Sequence, residues 1–237
     1  MNTSNEEPLH IAYFTDVLCV WAYTAQIRLD ELKQRFGPQI RITYHFIPIF
    51  GCVEERIGKM WQDKGGFEGL GRHVVEICKG FPHVEVAPEL WSKNIPKSSA
   101  NAHLYLKAVE LLEREGIISA KPVTDFDGRT LYEEAIWRLR VAFFRDMEDV
   151  SSAHCQASLA ESLGIPRDPL LKRLHDGSAM AAMCADLRLR DELKVEGSPT
   201  YIFNEGRQKL YGNVGYKILE ANIRELLERP EGLASWC

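Results

Sequence analysis

Hydrophobic and polar positions near the start of the chain predict a strand, a helix and a second strand. The apolar run LHIAYF at residues 9–14 is typical of a short buried strand, and the alternating segment at residues 40–46 is typical of another. Apolar residues recur near helical spacing between them, at Ile27, Leu29, Leu32 and Phe36. We therefore expect a βαβ unit with a right-handed crossover.

The periodicity changes to a helical one from residue 51 to residue 192, where strand patterns nearly vanish. Strands return after Gly197, because residues 200–204 and 208–211 flank a Glu205-Gly206 turn as the arms of a β-hairpin do. An amphipathic helix then closes the chain.

This order of elements, β-α-β followed by helices and then β-β-α, predicts an α/β fold with a large insertion. We expect residues 1–50 and 193–237 to form the two parts of one domain. Residues 51–192 are expected to form an all-helical insertion domain between them.

Composition and charge narrow the classes of partner. The 237 residues are 45% hydrophobic and carry a net charge of −5, which argues against binding to a nucleic acid or an anionic membrane surface. No stretch is long and apolar enough to span a bilayer, and the first residues show no secretory signal. We therefore expect a cytoplasmic protein with a small-molecule or protein partner, and the sequence carries no signal of oligomeric state.

The six cysteines are scattered, in a chain too long to be a disulfide-stapled miniprotein. Nowhere do two of them stand two residues apart, and their spacing with histidines fits no zinc motif. We expect most thiols to be reduced and no metal site. They are Cys19, Cys52, Cys78, Cys155, Cys184 and Cys237.

Cys19 has the most informative position of the six. It stands just after the first predicted strand and at the start of the following helix. The free N–H groups and the positive end of the helix dipole favour a thiolate there, so we expect a lowered pKa for Cys19. His45, in a strand pattern, and His103, in a helical one, offer no evident base for this thiol and are expected to be structural.

Two segments resemble the DsbA-like thioredoxin superfamily. Residues 16–23, DVLCVWAY, are similar to its active-site stretch, and residues 197–201, GSPTY, are similar to its cis-proline loop. The superfamily includes DsbA and FrnE-like oxidoreductases, 2-hydroxychromene-2-carboxylate isomerases and kappa-class glutathione transferases. The resemblance implies a thioredoxin-like fold with a helical insertion, and a cis Ser198–Pro199 bond that exposes backbone groups beside Cys19.

The resemblance also implies a set of site residues, with Cys19 as the catalytic thiol. Asp16 is expected to be structural and to hold the turn before Cys19. The residues expected to bind substrate are Trp21, Ala22, Tyr23, Ser198, Pro199 and Thr200.

The chain departs from the dithiol members of the superfamily at two positions. Ala22 stands where their second cysteine would be, and Val20 stands in place of the usual proline. A second thiol normally releases the enzyme from trapped mixed disulfides. Cys52 and Cys237 are two conceivable replacements, although their spacing shows no such pairing.

Three functions therefore stay open. The leading hypothesis is a monothiol oxidoreductase that exchanges disulfides through Cys19, with no permanently bound cofactor and with glutathione as a co-substrate; its partners are a small thiol or a protein thiol or disulfide. The alternatives are a glutathione-dependent transferase or isomerase and a non-catalytic binding module. The GNVGY segment at residues 212–216 weakens the transferase hypothesis, because it lacks the charged pair that usually grips glutathione there.

Overall fold

Four strands form one mixed sheet, in the order β2-β1-β3-β4, in a computed structural model that describes residues 7–228. The strands are β1 (Leu9–Thr15), β2 (Ile40–Phe46), β3 (Thr200–Phe203) and β4 (Gln208–Tyr211). β1 runs parallel to β2 and antiparallel to β3, which is itself antiparallel to β4. The parallel pair is joined by helix α1 (Val20–Phe36), so the predicted βαβ unit is confirmed.

β1 is a central strand and is buried on both faces, which explains its continuous apolar run. Ile11 pairs with Ile42 on one side and with Phe203 on the other. Ile11 and Tyr13 belong to the main core, whereas Ala12 and Phe14 belong to a smaller cluster on the opposite face. The sheet therefore needs a helical layer on each side.

Helices supply both layers, and the described residues between β2 and β3 contain no strand. A π-helical turn, Glu54–Lys59, opens this region. The remaining helices are α2 (Gly66–Cys78), α3 (Ala100–Arg114), α4 (Leu131–Phe144), α5 (Ala153–Ser162), α6 (Arg167–His175), α7 (Ser178–Glu192) and α8 (Tyr216–Glu228). The predicted order β-α-β, helices, β-β-α is confirmed, while the division into domains at residues 51 and 192 stays a prediction.

Buried polar contacts tie the inserted helices to the sheet. Arg140 of α4 is fully buried and donates to Gln26 Oε1 and to Thr15 Oγ1, each at 2.8 Å. On the other face, Asp186 of α7 accepts the Phe46 N–H at 2.8 Å. These contacts set the position of the helices relative to the carboxyl end of β1, where Cys19 lies.

Within residues 7–228, every helix is too short or too polar to traverse a lipid bilayer.

Candidate functional site

Cys19 lies just beyond β1 and directly before the first residue of α1. Its backbone is extended, with φ −81° and ψ 116°, and its N–H donates to the Asp16 carbonyl oxygen at 3.1 Å. The Cys19 carbonyl oxygen accepts the N–H groups of Ala22 and Tyr23 at 3.1 and 3.0 Å. The turn therefore feeds directly into the helix and fixes the thiol at its N-terminus.

The Ser198–Pro199 segment lies against this turn, although it is 179 residues further along the chain. The Cys19 thiol donates to the Ser198 carbonyl oxygen at 3.2 Å, and the Asp16 N–H donates to Ser198 Oγ at 2.9 Å. The Ser198–Pro199 bond is cis, as the resemblance implied. The structure thus brings together the two segments that the sequence analysis singled out.

Asp16 joins three segments of the chain around the thiol. Its carboxylate is fully buried and accepts the Leu18 N–H at 2.9 Å, the Phe50 N–H at 3.0 Å and the Ser99 hydroxyl at 2.7 Å. Burial by itself raises the pKa of Asp16, but His103 and these hydrogen bonds outweigh it and hold the pKa below its ordinary value. Asp16 is therefore a buried carboxylate that stays ionised.

The expectation of a lowered pKa for Cys19 is wrong. Burial raises the pKa of Cys19, because its side chain is almost inaccessible and desolvation disfavours the thiolate. The Ser198 side chain and the N–H groups of Ala22 and Trp21 act in the opposite direction, while the nearby Asp16 charge raises the pKa further. The helix N-terminus is present, but it does not outweigh burial, and Cys19 is a thiol at neutral pH.

A cleft of about 520 Å³ opens above Cys19. Three residues of the predicted site line it, namely Cys19, Trp21 and Ser198. The inserted region contributes an apolar part of the lining, formed by Ile57, Trp61, Leu70 and Val74. The charged side chains of Arg56 and Glu196 and the imidazole of His73 also line the cleft.

The other predicted substrate-binding residues do not line the cleft. Ala22, Tyr23, Pro199 and Thr200 are all buried. The Tyr23 ring stacks on Phe144 at 4.5 Å and on Trp137 at 5.3 Å, and its hydroxyl donates to the Glu85 carbonyl oxygen. The Tyr23 ring therefore packs against the inserted helices and does not line this cleft, and its role in substrate binding stays a prediction.

Three residues at the site carried no sequence signal that assigned them there: Phe50, Ser99 and His103. Each contacts Asp16 from a segment more than thirty residues away. A general physical rule predicts that such partners exist, because a buried aspartate needs several hydrogen-bond donors. That requirement does not tell which residues provide them.

Of the two cysteines considered as partners for Cys19, the structure describes only Cys52. Cys52 is exposed and unpaired, and its side chain does not line the cleft. Cys237 lies outside the described residues. In the described part of the chain, no group of three His, Cys, Asp or Glu side chains is placed to hold a metal ion.

The sheet order, the inserted helices and the cis-proline beside Cys19 together define a thioredoxin-like fold with a helical insertion, and comparison with solved structures confirms this fold. A proposed protein disulfide isomerase from Nitrosomonas europaea superposes with a TM-score of 0.69 at 17% identity, over 94% of this chain and 99% of that one. The cytosolic disulfide reductase DsbM from Pseudomonas aeruginosa, solved with GSH, gives 0.61 at 18% identity, over 91% and 100%. A 2-hydroxychromene-2-carboxylate isomerase gives 0.64 at 17% identity, over 95% and 100%.

Among curated proteins, the chain is similar to ClpXP adapter proteins named SpxH. The protein from Shouchella clausii is 20% identical over 227 residues, which cover 94% of this chain and 68% of the relative. The protein from Bacillus licheniformis is 25% identical over 236 residues, with the same coverage of each chain. No protein-family model matches the chain.

Proposed function

We propose that the protein is a monothiol thiol-disulfide oxidoreductase that works through Cys19, with a small thiol such as glutathione as its second reactant. The observation that carries this proposal is the position of the Cys19 thiol, 3.2 Å from the Ser198 carbonyl oxygen on the floor of the cleft. The DsbA-like fold supports it. We keep the cytoplasm as the proposed location, where glutathione is abundant.

The first step is attack of the Cys19 thiolate on a disulfide RS–SR′. The Cys19 proton passes to solvent, a Cys19–SR mixed disulfide forms, and R′S⁻ leaves. Because burial raises the pKa of Cys19, only a small fraction of the thiol is ionised at neutral pH. We therefore expect the rate of this step to rise with pH through the neutral range.

The second step is the release of Cys19 by an external thiol. A glutathione thiolate attacks the R sulfur of the mixed disulfide, a new GS–SR disulfide forms, and Cys19 leaves as a thiolate that is then protonated. No second cysteine lines the cleft within residues 7–228, so within that range the external thiol has no internal competitor. A leaving thiol of high pKa leaves slowly, so the mixed disulfide is expected to be long-lived.

The cleft offers two kinds of contact to a bound thiol or peptide. Trp21 and the apolar wall with Ile57 and Trp61 accept hydrophobic groups. Arg56 offers positive charge, and His73 a ring nitrogen, to the carboxylates of a glutathione-like ligand. In this proposal Pro199 and Thr200 hold the segment from behind and do not contact the ligand.

Substitution of Cys19 tests the proposal. We expect Cys19→Ser to abolish the glutathione-dependent reduction of a fluorogenic mixed-disulfide peptide, because serine cannot form the intermediate. The matched control is Cys52→Ser, an exposed free cysteine outside the cleft, whose rate should match that of the unaltered protein. Equal activity in the Cys19→Ser and Cys52→Ser variants would refute the proposal.

A second candidate function is a non-catalytic binding module. Two observations favour it, the raised pKa of Cys19 and the similarity to proteins named as ClpXP adapters. A module of this kind would use the cleft to hold a polypeptide without exchanging disulfides. It predicts that Cys19→Ser leaves partner binding unchanged and that the unaltered protein has no exchange activity above the uncatalysed rate.

A further inference from the structure

His103 is a buried polar residue that reaches the Cys19 turn from the inserted helices. It lies in α3, its side chain is fully buried, and its ring stacks on Phe46 with the centroids 5.1 Å apart. A residue needed only to fill this space would be apolar, since an imperfectly paired polar ring is costly to bury. Packing against Phe46 alone therefore does not explain why a histidine occupies this position.

The Nε2 atom of His103 accounts for its position. It accepts the Val17 N–H at 3.2 Å and lies 3.5 Å from Asp16 Oδ1. Nε2 therefore contacts a backbone donor and lies beside a carboxylate oxygen of the same turn. Nδ1 has no hydrogen-bond partner, and all the polar contact of the side chain is directed at the Cys19 turn.

His103 is also the one ionisable partner of Asp16 among the ion pairs of residues 7–228. The other groups that bind the Asp16 carboxylate are the N–H groups of Leu18 and Phe50 and the Ser99 hydroxyl. The Asp16 carboxylate lies three residues before Cys19, and its charge acts on the thiol. His103 contacts both the Val17 N–H and the Asp16 carboxylate. It can therefore set the position of the turn and the distance of the Asp16 charge from the Cys19 thiol.

We propose that His103 is a positioning residue for Cys19, supplied by the inserted helices and acting through Val17 and Asp16. The inference deepens the proposed function, on which its link to catalysis rests. The insertion thereby sets the reactivity of the thiol as well as lining the cleft.

Two polar substitutions separate positioning from packing. In His103→Gln the side-chain amide can occupy the place of Nε2, whereas in His103→Asn it occupies the place of Nδ1 and cannot reach Val17. The measurement is the pH profile of Cys19 alkylation by iodoacetamide, read by peptide mass spectrometry. We expect the rate constant at pH 7 to rise about threefold or more in His103→Asn, because the Asp16 charge that raises the pKa of Cys19 is no longer held beside the turn, and to stay within about twofold in His103→Gln.

Phe46→Leu is the packing control, because it alters the stack on His103 and leaves its polar contacts in place. Its Cys19 profile should match that of the unaltered protein. If His103→Asn does not fold, His103→Phe takes its place with the same expectation. Profiles that are equal for the Asn and Gln variants would overturn the proposal. Because alkylation does not require exchange activity, this result is independent of whether Cys19→Ser abolishes turnover.

Discussion

Cys19 and Tyr23 lie one helical turn apart at the start of α1, yet they belong to two different environments. Cys19 lies in a polar turn, between the Ser198 carbonyl oxygen and the ionised Asp16. Tyr23 lies in an aromatic stack with Trp137 and Phe144 of α4. The same helix therefore carries a reactive group at its N-terminal end and, one turn further on, an anchor for the inserted helices.

This difference indicates that reactivity and stability are carried by separate contacts. Hydrogen bonds to Asp16 fix the geometry of the thiol, whereas apolar area at Tyr23 holds α1 against α4. Substitutions in the Tyr23 aromatic stack should alter the free energy of unfolding and leave the alkylation rate of Cys19 unchanged. Changes at Asp16 should alter both.

The largest expected effect is that of Tyr23→Ala. Removal of this buried ring should lower the free energy of unfolding by about 3–5 kcal/mol, because a large cavity is left between Trp137 and Phe144. Chemical denaturation measures the loss. The Cys19 alkylation rate of the folded protein should stay unchanged.

Tyr23→Phe is the matched control, because it removes the hydroxyl that donates to the Glu85 carbonyl oxygen at 2.9 Å and keeps the ring. Its cost should be about 1 kcal/mol. A Tyr23→Ala variant that folds normally but loses Cys19 reactivity would contradict the separation between the contacts of Cys19 and those of Tyr23.

Asp16→Asn is expected to reduce stability less than Tyr23→Ala does and, unlike Tyr23→Ala, to increase the reactivity of Cys19. The loss of charged hydrogen bonds should lower the free energy of unfolding by about 2 kcal/mol at neutral pH. Removal of the negative charge should also lower the pKa of Cys19 and speed its alkylation. Denaturation and alkylation measured on the same sample test both directions.

The stability effect of Asp16 should depend on pH. Its folded pKa is lowered, so its contribution is complete above the unfolded value of about 4 and is lost as the pH falls through the folded pKa. The gap in stability between the unaltered protein and Asp16→Asn should therefore shrink below about pH 4. A gap that is constant down to pH 2 would contradict an ionised, stabilised Asp16.

The sequence predicts the fold well because its strongest signals are periodic. The continuous apolar run of β1 and the alternation in β2 follow from their places at the centre and the edge of the sheet. The GSPTY segment predicted the cis bond before Pro199 and its approach to Cys19 through family resemblance. Neither inference required knowledge of distant side chains.

The details of the site depend on contacts that have no periodicity. His103 and Ser99 reach Asp16 because α3 packs beside the turn, and nothing in their local sequence indicates it. The pKa of Cys19 was predicted in the wrong direction for the same reason. A helix N-terminus is visible in sequence, whereas the burial that opposes it is a property of the assembled fold.

The most direct test of the account is intact-mass spectrometry and peptide mapping after incubation with glutathione disulfide. The central claim is that Cys19 is the thiol that exchanges, and it predicts a single glutathione adduct on Cys19 that forms faster as the pH is raised. Cys52 and Cys184 are exposed and serve as internal references for nonspecific modification. Adducts confined to Cys52 and Cys184, with Cys19 unmodified at every pH, would contradict the claim.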